Sequence, residues 1–141
     1  MRCHNGITLV GINDMFDQYF DAGSGLTWYV GLIDNDNFTA LDDDNDTMAS
    51  HAGWVEITDY NEATRPAWGP DSASGQAKTN SVKRDFTMSS GQDIKGMFLA
   101  SDNAKGGTSG ILWCTGIFST VSSVQVNQVA KVYYELTGQE G

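Results

Sequence analysis

The alternation of apolar and polar positions is cleanest at the C-terminal end, in VAKVYYEL at 129 to 136. Ala130, Val132, Tyr134 and Leu136 fall on one side and Lys131, Tyr133 and Glu135 on the other, the pattern of a strand with one wet face. LTWYVGLI at 26 to 33 is apolar on both sides, which predicts a central strand covered on both faces, with a docked helix as one cover. IKGMFLA at 94 to 100 and ILWCTGIF at 111 to 118 flank the turn-rich SDNAKGGTSG and predict an antiparallel pair. In 81 to 88 the apolar positions Val82, Phe86 and Met88 share a face with Arg84, placing that arginine at an edge or beside an acid. Val55 and Ile57 alternate with Glu56 and Thr58, a short strand that runs into the turn residues Asp59 to Asn61.

Helical spacing occurs once. Between Ile7 and Phe20 the positions Ile12, Met15, Phe16, Tyr19 and Phe20 recur at helical steps, with Asp14 and Asp17 opposite. Asn13 and Asp14 would instead cap a shorter version, and DAGSG at 21 to 25 supplies the stop. Gly-, Ser-, Asn- and Asp-rich segments separate six or seven strands, with no βαβ alternation and no internal repeat. The expected fold is all-β: an antiparallel β-sandwich of jelly-roll type over 26 to 136, with one N-terminal helix at 7 to 20, the whole of 1 to 141 being a single domain.

The run from Ser50 to Trp68, SHAGWVEITDYNEATRPAW, concentrates aromatic and charged residues around one short strand. Pro66 holds Arg65 in extended geometry, so Trp68 rides on a rigid arm. Two readings fit Trp54 and Trp68: they fill the end of the sandwich, or they anchor an interface, where Trp, Tyr and Arg dominate the binding energy.

The distribution of charge is more informative than the composition. The formal net charge is -10, yet no lysine or arginine lies between Cys3 and Thr64, a span with twelve acids. From Arg65 onward seven bases meet six acids, so the two parts carry -12 and +1, and Arg2 completes the sum. Such a chain repels a phosphate backbone, which excludes direct nucleic-acid binding and favours a basic protein surface or divalent cations. Two cysteines, Cys3 and Cys114, allow at most one disulfide and are expected as free thiols. No run is long and apolar enough for a membrane helix, and the first residues lack a signal-peptide pattern, so synthesis in a cytoplasm and no membrane partner are expected.

Candidate chemistry is sparse. Asp42, Asp44 and Asp46 have the alternate spacing of a calcium loop, but Thr47 stands where an EF-hand requires glycine and Gly53 where it requires glutamate. A solvated loop is the main reading, with those three aspartates the weak candidates for a cation in another geometry. His51 is the histidine nearest ordered residues, His4 being close to the terminus; a loop-capping role beside Trp54 is expected, since no nucleophile turn accompanies it. Neither a phosphate loop nor a zinc ligand set is present. No catalytic residue and no cofactor are assigned, and the chain is read as a non-enzyme. A carbohydrate-binding sandwich competes, with Trp28, Tyr29, Trp54, Tyr60 and Trp68 as stacking surfaces, provided they are exposed in a row.

DTMASHAGWVEITDYNEATRPAW, with WYVGLI upstream and IKGMFLASDNAKGGTSGILWC downstream, resembles a family of small virion proteins from tailed bacteriophages. The likeness spans about Leu26 to Leu136 and is carried by Trp28 to Leu32, Arg65 to Trp68, Gly96 to Leu99 and Gly106 to Trp113. It implies a jelly-roll decoration or cement protein on the outer surface of the head, bound to the major capsid protein and stabilising contacts between its subunits. A tail, neck or fibre position is the alternative within the family. Under this resemblance Trp54, Tyr60, Arg65, Pro66 and Trp68 are the expected interface anchor, with Asp43 at the centre of the acidic docking segment Asp42 to Asp46. A homo-dimer or higher homo-oligomer is expected as well, because free sheet edges are hidden by symmetric pairing.

Overall fold

The computed structural model describes residues 8–20 and 25–138. It is mostly β, with one short helix and antiparallel sheets. Helix α1 spans Leu9–Phe20 and is followed by strands β1 (Tyr29–Asp34), β2 (Ala77–Thr79), β3 (Arg84–Thr87), β4 (Gln92–Ala100), β5 (Leu112–Val124), β6 (Val129–Val132) and β7 (Glu135–Thr137).

Helix α1 starts on Thr8, whose hydroxyl accepts from the Gly11 N–H, so the longer of the two expected helices forms and Asn13 and Asp14 do not cap it. Ile7 and most of the expected stop, Asp21 to Ser24, lie outside the described residues; Gly25 has a φ of 79°. Ile12, Phe16 and Phe20 are buried along one stripe, while Met15 of the expected set is exposed. Asp17 departs from the solvent face assigned to it: its carboxylate accepts from Lys78 Nζ at 2.6 Å and from the Ala73 N–H at 2.7 Å, tying α1 to β2.

The largest sheet has the order β1-β4-β5, antiparallel throughout, and β4 and β5 are the pair expected on either side of 101 to 110. Its two faces are both covered, as the unbroken apolar run of β1 requires. One face carries Val30, Leu32, Met97 and Leu99 against α1, Trp68, Phe86 and Val132. On the other, Ile33, Phe98 and Ala100 pack under Met48, Trp54, Phe38 and Leu41 from the segment 35 to 54. Gly31 is directly opposite Phe98, whose ring occupies the space a Cβ at Gly31 would need.

The expected strand at 55 to 58 is reduced to isolated bridges along β1. Ile33 faces Glu56 and Tyr29 faces Ala67, so the outer chain advances eleven residues while β1 advances four. The surplus, roughly Thr58 to Thr64, leaves the sheet and touches β3, where Tyr60 bridges Met88 and the Asn61 N–H donates to the Thr87 carbonyl. The long strand expected at 129 to 136 is also divided: β6 pairs with β3, and β7 pairs with β2. Its inward and outward residues are nonetheless as the alternation assigned them, with Lys131, Tyr133 and Glu135 exposed. Buried Asn80 sits at the division, its side-chain oxygen accepting from the Tyr134 N–H and the Trp68 indole while its amide donates to the Val82 carbonyl.

Candidate partner-binding surface

The residues expected to grip a partner are held inside the chain. Trp54, Tyr60, Arg65 and Trp68 are between 0 and 2 % exposed, and Pro66 is half-buried with its carbonyl accepting from the Val30 N–H. This corrects the anchor reading in favour of its alternative. The cause is local: bridging to β1 at Glu56 and again at Ala67 turns Trp54 and Trp68 toward the two faces of the sheet.

Each of these side chains has an internal function. The Trp54 indole donates to Asp46 Oδ2 at 2.9 Å, and its ring lies against Phe98 on one side and stacks on His51 at 3.9 Å. His51 Nδ1 is 2.9 Å from the Trp54 carbonyl, the loop-bonding role expected for it. Arg65 sends Nε and Nη2 to the two oxygens of Glu56 at 2.7 Å each, and Nη1 and Nη2 to the Asp102 and Gly107 carbonyls. Its guanidinium lies over the Phe98 ring, and Glu56 also accepts from the Gly106 N–H, so the 101 to 110 turn is fastened to the Glu56–Arg65 segment. Lys105 closes the same turn by donating to the Tyr60 and Glu62 carbonyls. Arg84, expected beside an acid or at an edge, donates to the Trp68 and Gly69 carbonyls. The Tyr60 ring packs edge-on to Phe86, and burial pushes its hydroxyl above the usual phenol range without a hydrogen-bond partner among the described residues.

What reaches the surface is the acidic loop. Asp42, Asp43 and Asp44 are exposed, whereas Phe38, Leu41, Met48 and Trp54 fix the surrounding segment to the sheet. The loop is therefore a flap packed on the sheet, with Asp42, Asp43 and Asp44 at its exposed tip and Asp46 turned inward to the Trp54 indole. Asp43 accepts from the Thr115 hydroxyl of β5, which draws the flap toward that strand. Of the three cation candidates, Asp42 is occupied by the Asn45 amide, and Asp46 by the Trp54 indole and the Asp42 N–H. Among the described residues no group of three or more His, Cys, Asp or Glu side chains converges as a metal site.

Between the flap and β5 lies a cleft of about 210 Å³ lined by Asp43, Asp46 and Leu112 to Thr115. On the other side of Trp113, a second, apolar hollow of about 230 Å³ is lined by Met15, Phe16, Tyr19 and Phe20. Trp113 is 39 % exposed and within 5.1 Å of the Tyr19 and Phe20 ring centroids. The sequence places it inside a strand. What it hides is a β-bulge, since Leu99 pairs with Cys114 while Ala100 pairs with Leu112, leaving Trp113 as the extra residue. A bulge re-aims a side chain and has no reliable apolar–polar signature.

The free thiol of Cys114 is 2.8 Å from the Tyr134 hydroxyl, and burial raises both groups above their ordinary values. Cys3 and His4 lie outside the described residues. The aromatic platform that sugar binding would need is not assembled: Trp28, Trp54, Tyr60 and Trp68 are buried in the core and Tyr29 is half-buried. No described helix is long and apolar enough to cross a membrane. Searches against protein-family models, curated proteins and solved structures find no match to this chain.

Proposed function

We propose that this chain is a virion structural protein of the tailed-bacteriophage decoration type, which binds the outer surface of the head and stabilises contacts between major capsid protein subunits. The reading joins the family resemblance of Trp28 to Leu32, Arg65 to Trp68 and Gly106 to Trp113 to one structural observation: the exposed acids Asp42 to Asp44 sit on a flap held by buried side chains. A rigid acidic projection matches a basic patch on another protein at little cost in ordering, because its backbone is set before contact. Each copy then contributes a modest contact that repetition over a shell multiplies. In this proposal the protein adheres and turns over no substrate, and its outer position keeps the acidic surface away from packaged DNA.

The layering proposed with this function is a β-sandwich of jelly-roll type. The β1-β4-β5 sheet forms one wall, and the β2–β7 and β3–β6 ribbons with α1 form the other. Phe86 and Val132 from the β3–β6 ribbon share a core with Val30, Leu32 and Leu99 of the sheet, which supports that assignment.

The test is reconstitution. Purified protein added to shells that lack it is expected to bind in hundreds of copies and to raise the temperature at which the shell opens. A handful of copies at one vertex would instead place it at the neck or tail, and no binding would overturn the proposal.

A further inference from the structure

We propose that the outer edge of β5 takes an extended segment of another protein in which lysine or arginine alternates with apolar residues. Three features meet along residues 112 to 117. The first is a free strand edge: β5 is the last strand of the three-stranded sheet, and among the described residues no backbone hydrogen bond joins 112 to 117 to anything but β4. The sequence of β5, LWCTGIFSTVSSV, has neither the lysine nor the proline that commonly guards such an edge. The second is the cleft on the flap side of the sheet, with Asp43 and Asp46 in its wall. The third is the apolar hollow on the α1 side, walled by Met15, Tyr19 and Phe20. Trp113 stands in both walls, so the two compartments lie on either side of the same edge.

Period and charge identify the occupant. Successive side chains of an extended segment point to opposite faces, so a strand added to β5 sends one set toward the flap and the other toward α1. On the flap side the carboxylates lack a cation. Asp43 Oδ1 accepts from the Thr115 hydroxyl and Asp46 Oδ2 from the Trp54 indole and the Asp42 N–H, which leaves the second oxygen of each without a hydrogen-bond partner among the described residues. Neither carboxylate is paired with a described lysine or arginine. An ammonium or guanidinium entering beside Trp113 would donate to these oxygens and meet the indole ring. On the α1 side an aliphatic side chain would cover Met15, which is 51 % exposed, and Trp113, which is 39 % exposed. A small cation would leave the hollow and the strand edge unused, and an apolar ligand would leave both carboxylates unpaired. In strand addition the backbone pairing supplies affinity and the alternating pockets select the sequence. The inference rests on the proposed function only for which protein carries the segment, the capsid subunit being that protein in the decoration role.

The probe is a blocked peptide, acetyl-VKVKVKV-amide, titrated calorimetrically into the full chain. It is expected to bind with a Kd of about 10–100 μM, to bind more weakly as salt rises, and to protect amides within residues 112 to 117 from hydrogen exchange. Replacing its lysines by glutamate, replacing its valines by serine, or methylating its backbone nitrogens is each expected to weaken binding by about tenfold or more. Met15→Ser and Asp43→Asn, both at exposed positions, are expected to weaken binding of the unmodified peptide by about threefold or more while leaving the far-ultraviolet spectrum unchanged. If a variant fails to fold, the peptide series on the unmodified protein decides. No binding, equal binding of the glutamate peptide, or protection that falls outside β5 would overturn the inference. So would β5 protection that rises with protein concentration alone, the mark of a second copy on the edge. Peptide binding without attachment to shells would uphold the segment and overturn the decoration role, whereas attachment to shells without peptide binding would uphold that role and overturn the segment.

Discussion

Arg65 shows how a residue that reads as an interface anchor becomes a structural one. A guanidinium has a forked set of donors that suits any site offering a carboxylate and well-placed carbonyls. Here Glu56 and the 101 to 110 turn provide them, with the Arg65 side chain 0 % and the Glu56 side chain 6 % exposed. Removing one partner strands the other charge, so Arg65→Met and Glu56→Gln are each expected to cost about 3–5 kcal/mol. The double variant is expected to cost less than the sum, and urea unfolding of all four proteins measures the coupling. Additive losses would show that the two side chains act independently. Tyr60 makes the opposite case. Its hydroxyl is buried without a partner among the described residues, so Tyr60→Phe removes a polar atom that contributes desolvation cost and no bond. That variant is expected to be as stable as the parent or up to about 1 kcal/mol more stable. A clear loss of stability would mean that the hydroxyl is satisfied in solution.

Among the elements, the ones written in a single period were legible from sequence and the ones interrupted by tertiary contacts were not. The unbroken apolar run of β1 foretold its coverage on both faces, and β4 and β5 pair as the turn between them implied. The alternation at 129 to 136 gave the right inward residues but could not reveal that Asn80, far away in sequence, divides it between two ribbons. Nor does period-2 alternation at 55 to 58 disclose that the chain leaves β1 after Ile57 and returns at Pro66. Helix α1 was legible in its buried stripe, yet Asp17 was misjudged because its partner is supplied by β2. Lys78 is fully buried there, and its hydrogen bond is the main cause that holds the Asp17 carboxyl below its usual range, against the opposing effect of burial. Asp17→Asn is therefore expected to loosen α1 from β2, at about 1–3 kcal/mol given that Asp17 is a third exposed and screened by solvent. A group whose folded pKa is depressed stabilises the fold above its unfolded value of about 3.9 and loses that contribution as pH falls through the folded value. The stability gap between parent and variant is thus expected at neutral pH and expected to close in acid. A gap unchanged down to about pH 2 would contradict the ion pair.

For the whole molecule, the sequence located the charge and the structure shows how it is carried. Of the twelve acids before Arg65, Asp36, Asp42, Asp43, Asp44 and Asp46 fall in the segment 35 to 54, and composition does not distinguish a flexible loop there from a braced flap. The bracing side chains, Phe38, Leu41, Met48 and Trp54, are scattered along that loop without helical or strand spacing, so their common destination on Phe98 and Ile33 was invisible until the chain folded. Asp43→Asn with Asp44→Asn removes two exposed charges whose loss leaves Met48 and Trp54 in place, so stability is expected to change by no more than about 0.5 kcal/mol. Under the proposed decoration role, binding to a basic shell surface is expected to fall, mainly through a slower association rate, since charges at a contact rim steer encounter more than they hold it. Raising salt should then weaken the parent toward the level of the variant, because screening acts on the attraction that the variant has already lost. Stopped-flow association at two ionic strengths makes the comparison. Equal rates for parent and variant at low salt would mean that the flap does not face the partner, and the docking surface would have to be sought elsewhere on the molecule.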